Sequence, residues 1–151
     1  MPCHDRNFIP MYLRTIYLAA FLCVSMLPAS ADAPNTQVQA TPVTAETGAD
    51  GVQRLAITLD SYSFSPAYII VQAGKPVEFT LKNVSSIAPH SLKIDAPADE
   101  LDLYQEVEPG KTATLSFTPA KPGTYEFYCD KKLAFFPSHR KKGMVGKLEV
   151  R

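Results

Sequence analysis

Four residues in the second half of the chain carry side chains that bind soft or borderline metal ions: His90, Cys129, His139 and Met144. Two imidazoles and a thiolate form a trigonal set suited to copper, with a thioether as weak axial partner, whereas magnesium and calcium take oxygen ligands. Zinc is the competitor for such a set. Taken singly, Cys129 and Met144 read as core-filling hydrophobes and each histidine as a structural or surface residue. Their conjunction points to a metal. Cys129, His139 and Met144 lie in one stretch, spaced Cys-x9-His-x4-Met, and only His90 comes from elsewhere, after Ala88-Pro89. A loop that holds three ligands against one distant His keeps a single geometry for two oxidation states, and the resulting chemistry is one-electron transfer. Four protein ligands leave no open position for substrate, which a catalytic metal site requires. No catalytic residue is therefore assigned, and the chain is not read as an enzyme.

The start of the chain sharpens this ligand set. Arg6 and Arg14 precede an apolar run, Thr15 to Leu27, which ends at Pro28-Ala29-Ser30-Ala31. The run is short of the roughly 20 apolar residues a bilayer span needs. Ala29 and Ala31 supply the small-x-small pattern of a signal-peptidase site. Residues 1–31 are therefore expected to be an export signal and not a membrane anchor, leaving no transmembrane segment in the mature chain and a periplasmic location. The chain has three Cys, three His and four Met, and cleavage after Ala31 leaves only Cys129, His90, His139 and Met144 of these types. An exported chain with one Cys has no intramolecular disulfide, so that thiol is inert in a core, paired with another chain or held by a metal.

The elements that must position these ligands are strands. Residues 32–51 are rich in Ala, Thr, Pro and Gln without apolar periodicity and are expected to form a flexible leader. Residues 52–151 form the expected domain. There apolar residues recur at period two between turn signals: Leu55, Ile57 and Leu59; Ile69 and Val71; Val77, Phe79 and Leu81; Ala113, Leu115 and Phe117; Tyr125, Phe127 and Cys129. His90 to Ile94 and Met144 to Val150 complete the set, while Asp95 to Glu108 reads as an acidic connection. About seven to eight short strands joined by Pro/Gly turns, with no helix long enough to assign, predict an all-β sandwich or barrel.

The segment Tyr125 to Cys129, followed by Ser138-His139 and Gly143-Met144-Val145-Gly146, resembles the copper loop of the plastocyanin-like cupredoxins. In that loop Cys, His and Met fall in this order with four residues between His and Met. Asn83 to His90 is similar to the family's strand-end Asn followed by a Pro-His ligand. The resemblance covers most of residues 52–151. It implies a Greek-key β-sandwich and one copper ion cycling between Cu(I) and Cu(II) at a type 1 blue centre, in a monomeric one-electron carrier. By the same analogy the edge of His139 is the electron port, with Phe135 and Phe136 beside it.

Two departures stand out. Nine residues, Asp130 to Ser138, separate Cys129 from His139, where the family has only a few, and Ser91 follows the first His where many members carry Asn. A longer loop loosens the expected geometry and favours, as the alternative, a copper storage, delivery or resistance module without a redox role. Within it, Leu133 to Pro137 either folds over the metal end to exclude water or forms a docking patch. Lys131, Lys132, Arg140, Lys141 and Lys142 flank the loop as a solvated rim or as a surface that steers acidic redox partners of the periplasm or membrane surface. Nucleic acid is excluded as a partner by the formal net charge of zero and by the compartment.

Overall fold

The structure, a computed structural model, describes residues 40–151. The expected export signal and the first part of the expected leader, to residue 39, lie outside the described residues. Among the described residues eleven strands run in chain order as β1 (Val43–Thr44), β2 (Glu46–Thr47), β3 (Gln53–Asp60), β4 (Ser63–Ser65), β5 (Tyr68–Val71), β6 (Val77–Asn83), β7 (His90–Ala96), β8 (Leu101–Val107), β9 (Thr112–Phe117), β10 (Gly123–Tyr128) and β11 (Val145–Val150). They form a Greek-key sandwich of two sheets, one ordered β1-β5-β11-β10-β7-β8 and the other β2-β3-β6-β9, with β4 added along β3. The helical pieces among the described residues are two three-residue 3-10 turns, Pro97–Asp99 and Arg140–Lys142.

The all-β expectation holds, with more strands than the seven or eight expected. The additions are short pieces, β1, β2 and β4, and the hidden strand β8. In β8, Leu101 and Val107 are buried while Asp102 and Tyr104 are exposed. That is the inside-outside alternation of a half-buried strand, masked in sequence by its acids. The expected boundary at residue 52 also moves. β1 pairs with β5 and β2 with β3, and the N–H of the buried Ala45 donates to the carbonyl of Ile70 at 3.0 Å. Strands of two residues are too short to show periodicity; main-chain bonds to neighbouring strands hold them. β6 pairs parallel with β3 and antiparallel with β9.

The core lies between the sheets and includes Ile57, Leu59, Ile69, Phe79, Leu81, Leu92, Ile94, Phe127 and Leu148, all essentially inaccessible. Phe127 meets Phe64 edge to face with ring centroids 5.0 Å apart, a favoured aromatic arrangement. Phe127 also dictates the residue opposite it on β11. A Cβ on Gly146 would stand 2.2 Å from the Phe127 ring and 2.8 Å from the carbonyl oxygen of Ala67. This packing fixes β10 and β11, which flank the loop carrying three of the four candidate ligands.

Candidate metal centre

His90 is the first residue of β7 and is 1% exposed. The loop before it is braced by Asn83 at the end of β6. The buried Asn83 amide donates to the carbonyls of Ala88 and Val107, each at 2.9 Å, and its oxygen accepts from the N–H of Ser85 at 2.9 Å. The N–H of Ala88 then donates to Ser85 Oγ at 3.0 Å. One side chain thus ties the loop to both β6 and β8, and it sets where β7 begins.

Cys129 follows directly on β10, fully buried. From there the chain makes its excursion to His139 and comes back to it. The N–H of His139 donates to the carbonyl of Lys131 at 2.8 Å, and that of Arg140 to the carbonyl of Cys129 at 3.0 Å. The N–H of Met144 donates to the carbonyl of His139 at 3.0 Å, and that of Cys129 to the carbonyl of Met144 at 3.1 Å. Gly143 completes the turn at φ +96°, a conformation that glycine adopts without a steric penalty. These bonds pinch residues 132–138 out of the ring that carries the ligands. The nine intervening residues therefore do not hold Cys129 and His139 apart, contrary to the looser geometry expected from the spacing. Leu133 is 69% exposed and Phe135 fully so, which is not the arrangement of a segment folded over the metal end.

Three of the predicted ligands converge. Nδ1 of His90 lies 3.1 Å from Nδ1 of His139, and Cys129 Sγ lies 3.9 Å from the first and 3.4 Å from the second. Bonds of about 2.0 Å to nitrogen and 2.3 Å to sulfur set donors around one ion at such separations, so this donor set fits a single soft or borderline cation. Met144 is fully buried in the same core cluster as Cys129. Burial is the main cause pushing both imidazoles below the ordinary histidine value, reinforced for His90 by the facing His139, against a smaller opposing influence of Asp60, and for His139 by the nearby Lys142. The neutral imidazole is the form that binds a metal.

The surroundings tie the two ligand-bearing segments together. The N–H of Ser91 points at Cys129 Sγ at 3.3 Å. Ser91 Oγ donates to Asp130 Oδ1 at 2.7 Å and accepts from the Asp130 N–H at 3.1 Å. Ser91 thus braces the loop through a reciprocal pair, firmer than its short side chain suggests, because Asp130 supplies the second half. On the other flank the Arg140 guanidinium stacks 3.9 Å over the Tyr128 ring and pairs with Glu126 at 2.6 Å. Asp130 and Tyr62, whose ring meets that of His139 edge-on with centroids 4.9 Å apart, escape a reading of the sequence. Asp130 at least adjoins the cysteine, whereas nothing local marks Tyr62. His139 itself is 6% exposed.

The sequence pattern of the cupredoxin-like domain matches residues 15–145, and the chain belongs to that family. Plastocyanin of Dryopteris crassirhizoma is 34% identical over 106 residues, covering 60% of this chain and 90% of the relative. Plastocyanin of Prochlorothrix hollandica is 29% identical over 154 residues, covering 97% and 94%. Among solved structures, dithionite-reduced auracyanin from Roseiflexus castenholzii superposes with a TM-score of 0.55 at 25% identity, covering 71% of this chain and 98% of that one. The metal-binding domain of the Cu(I)-exporting ATPase CopA of Streptococcus pneumoniae has a TM-score of 0.57 at 21% identity, covering 74% and 97%, and shares the fold.

Proposed function

We propose that the protein is a monomeric carrier of single electrons that works in the periplasm, after removal of residues 1–31, with one copper ion held by His90, Cys129, His139 and Met144. The observation that carries this reading is the convergence of two imidazole nitrogens and one cysteine sulfur, all buried, with every donor within 4.8 Å of the others. Two plastocyanins among the relatives and a reduced auracyanin among the structural neighbours support copper and a redox role. When bound, copper supplies a reversible Cu(I)/Cu(II) couple.

The chain's own residues supply the rest. Asn83 and the Ser91–Asp130 pair hold the ligand segments in one arrangement, which suits a site that must accept and release an electron without rebuilding itself. The buried donors exclude water. The N–H of Ser91 donates toward the thiolate sulfur, and such bonds tune a metal's potential. Among the described residues no helix is long and apolar enough to cross a membrane. The exposed Ile87, Leu133, Phe135 and Phe136 on the two ligand-bearing segments, with the cations Lys132, Lys141 and Lys142, suit docking of an acidic redox protein, with electrostatic steering that weakens as salt rises.

Loading with Cu(II) is expected to give an intense thiolate-to-copper colour that ascorbate bleaches and an oxidant restores through many cycles. Cys129→Ser abolishes it. A colourless loaded protein, or colour that survives that substitution, rejects the reading. Coloured protein that surrenders copper to a chelator faster than it exchanges electrons supports the storage or delivery role instead.

A further inference from the structure

The turn between β3 and β4 carries two non-glycine residues in the left-handed region, Ser61 at φ +20° and Tyr62 at φ +66°. Side chains disfavour this conformation, and it persists only where the surroundings impose it. What surrounds Tyr62 is the metal centre's outer edge. Its ring stands edge-on to the His139 ring, with centroids 4.9 Å apart and planes 76° from parallel. From the other side Lys142, three residues beyond His139 on the ligand loop, places Nζ 4.3 Å from the Tyr62 ring centroid and donates to the Tyr62 hydroxyl at 2.9 Å. Lys142 Nζ also lies 5.6 Å from the Phe136 ring. A residue of one sheet's turn is thus fastened to the ligand loop by a cation, and the ring beneath it, His139, is left 6% exposed while Tyr62 is 38% exposed.

We propose that Tyr62, clamped by Lys142, is a cover over His139 that keeps small diffusible molecules off the imidazole and restricts electron exchange to partners that engage the Tyr62 surface itself. The redox half of this proposal rests on the electron-carrier reading above; the steric half does not. The strained backbone has a physical role here, since it aims a large ring sideways over the ligand where a relaxed turn would release it to solvent. The hydroxyl anchors the ring to Lys142, and the ring supplies the coverage.

Tyr62→Gly separates these elements, because glycine accepts φ +66° without strain and the turn survives the loss of the ring. Tyr62→Phe keeps the ring and loses only the hydroxyl. In metal-free protein, acylation of His139 by diethyl pyrocarbonate, read by peptide mass spectrometry, is expected to be several-fold faster in Tyr62→Gly than in wild type and nearly unchanged in Tyr62→Phe. In copper-loaded, reduced protein, ferricyanide takes one electron and becomes ferrocyanide. That rate is expected to rise several-fold in Tyr62→Gly with the visible spectrum preserved. Equal acylation in Tyr62→Gly and wild type overturns the cover, as does an unchanged or slower ferricyanide rate. A lost or altered copper colour in Tyr62→Gly overturns it too, since Tyr62 would then position His139 and not merely shield it. Failure of the electron-carrier reading looks different: the wild type itself gives no reversible colour, while the acylation result still stands or falls alone.

Discussion

The candidate ligand His90 follows a loop braced by one buried side chain, Asn83, whereas the candidates Cys129, His139 and Met144 lie on a loop closed mainly by its own main-chain bonds. The first device concentrates its strength in a single residue. The second spreads it over four main-chain hydrogen bonds, which substitutions other than proline leave in place. The second loop is itself divided. Its inner part, from Cys129 to Lys131 and from His139 to Met144, is hydrogen-bonded to itself, while the excursion 132–138 stands out in solvent with Phe135 fully exposed. The difference teaches that loop length and ligand geometry are separable. Once Lys131 and His139 are joined, residues between them cost little, since closure entropy grows slowly with loop length.

Asn83→Ala is the strongest way to break this comparison. It leaves the carbonyls of Ala88 and Val107 without their side-chain donor, and an unsatisfied buried group costs about 1–3 kcal/mol. A loss near 3 kcal/mol is expected in denaturant unfolding, with weakened copper affinity. If the loss is below about 1 kcal/mol, the His90 loop is held by something other than Asn83.

Ser91→Ala removes the reciprocal bonds with Asp130 and is expected to cost about 1 kcal/mol. Because the N–H toward Cys129 Sγ remains, the charge-transfer band should shift but survive, as absorption spectroscopy will show. Arg140→Ala loses the stack on Tyr128 and the exposed pair with Glu126, each worth about 0.5–1 kcal/mol at most, so thermal unfolding should fall by only a few degrees. The smallest effect belongs to the excursion. Replacing Leu133, Phe135 and Phe136 together by Ser should change stability by less than about 0.5 kcal/mol and leave the copper spectrum alone. A large spectral change there would show that the outer and inner parts of the loop are coupled after all.

The chemistry was legible because it resides in residue types. Two His, a Cys and a Met, the last three in the order Cys, His, Met, pointed to copper before any fold was considered. The β-sandwich was legible where period-two runs were long, as at Val77 to Leu81, and illegible where acids filled the outward positions, as at Leu101 to Val107, or where strands of two residues had no pattern to show. Spacing misled at the nine residues after Cys129, because sequence separation measures contour length and hydrogen bonds set distance.

Alone, the sequence determined which side chains are candidates to hold a metal and which strands alternate, since both follow from side-chain identity and from neighbours one or two residues away. Only the tertiary structure decided that Asp130 completes the brace begun by Ser91 and that His139 lies beneath Tyr62, residues 39 and 77 positions apart in the chain. The first pairing depends on how β7 and β10 register within one sheet, the second on how a strained turn of the other sheet is aimed, and no local pattern records either.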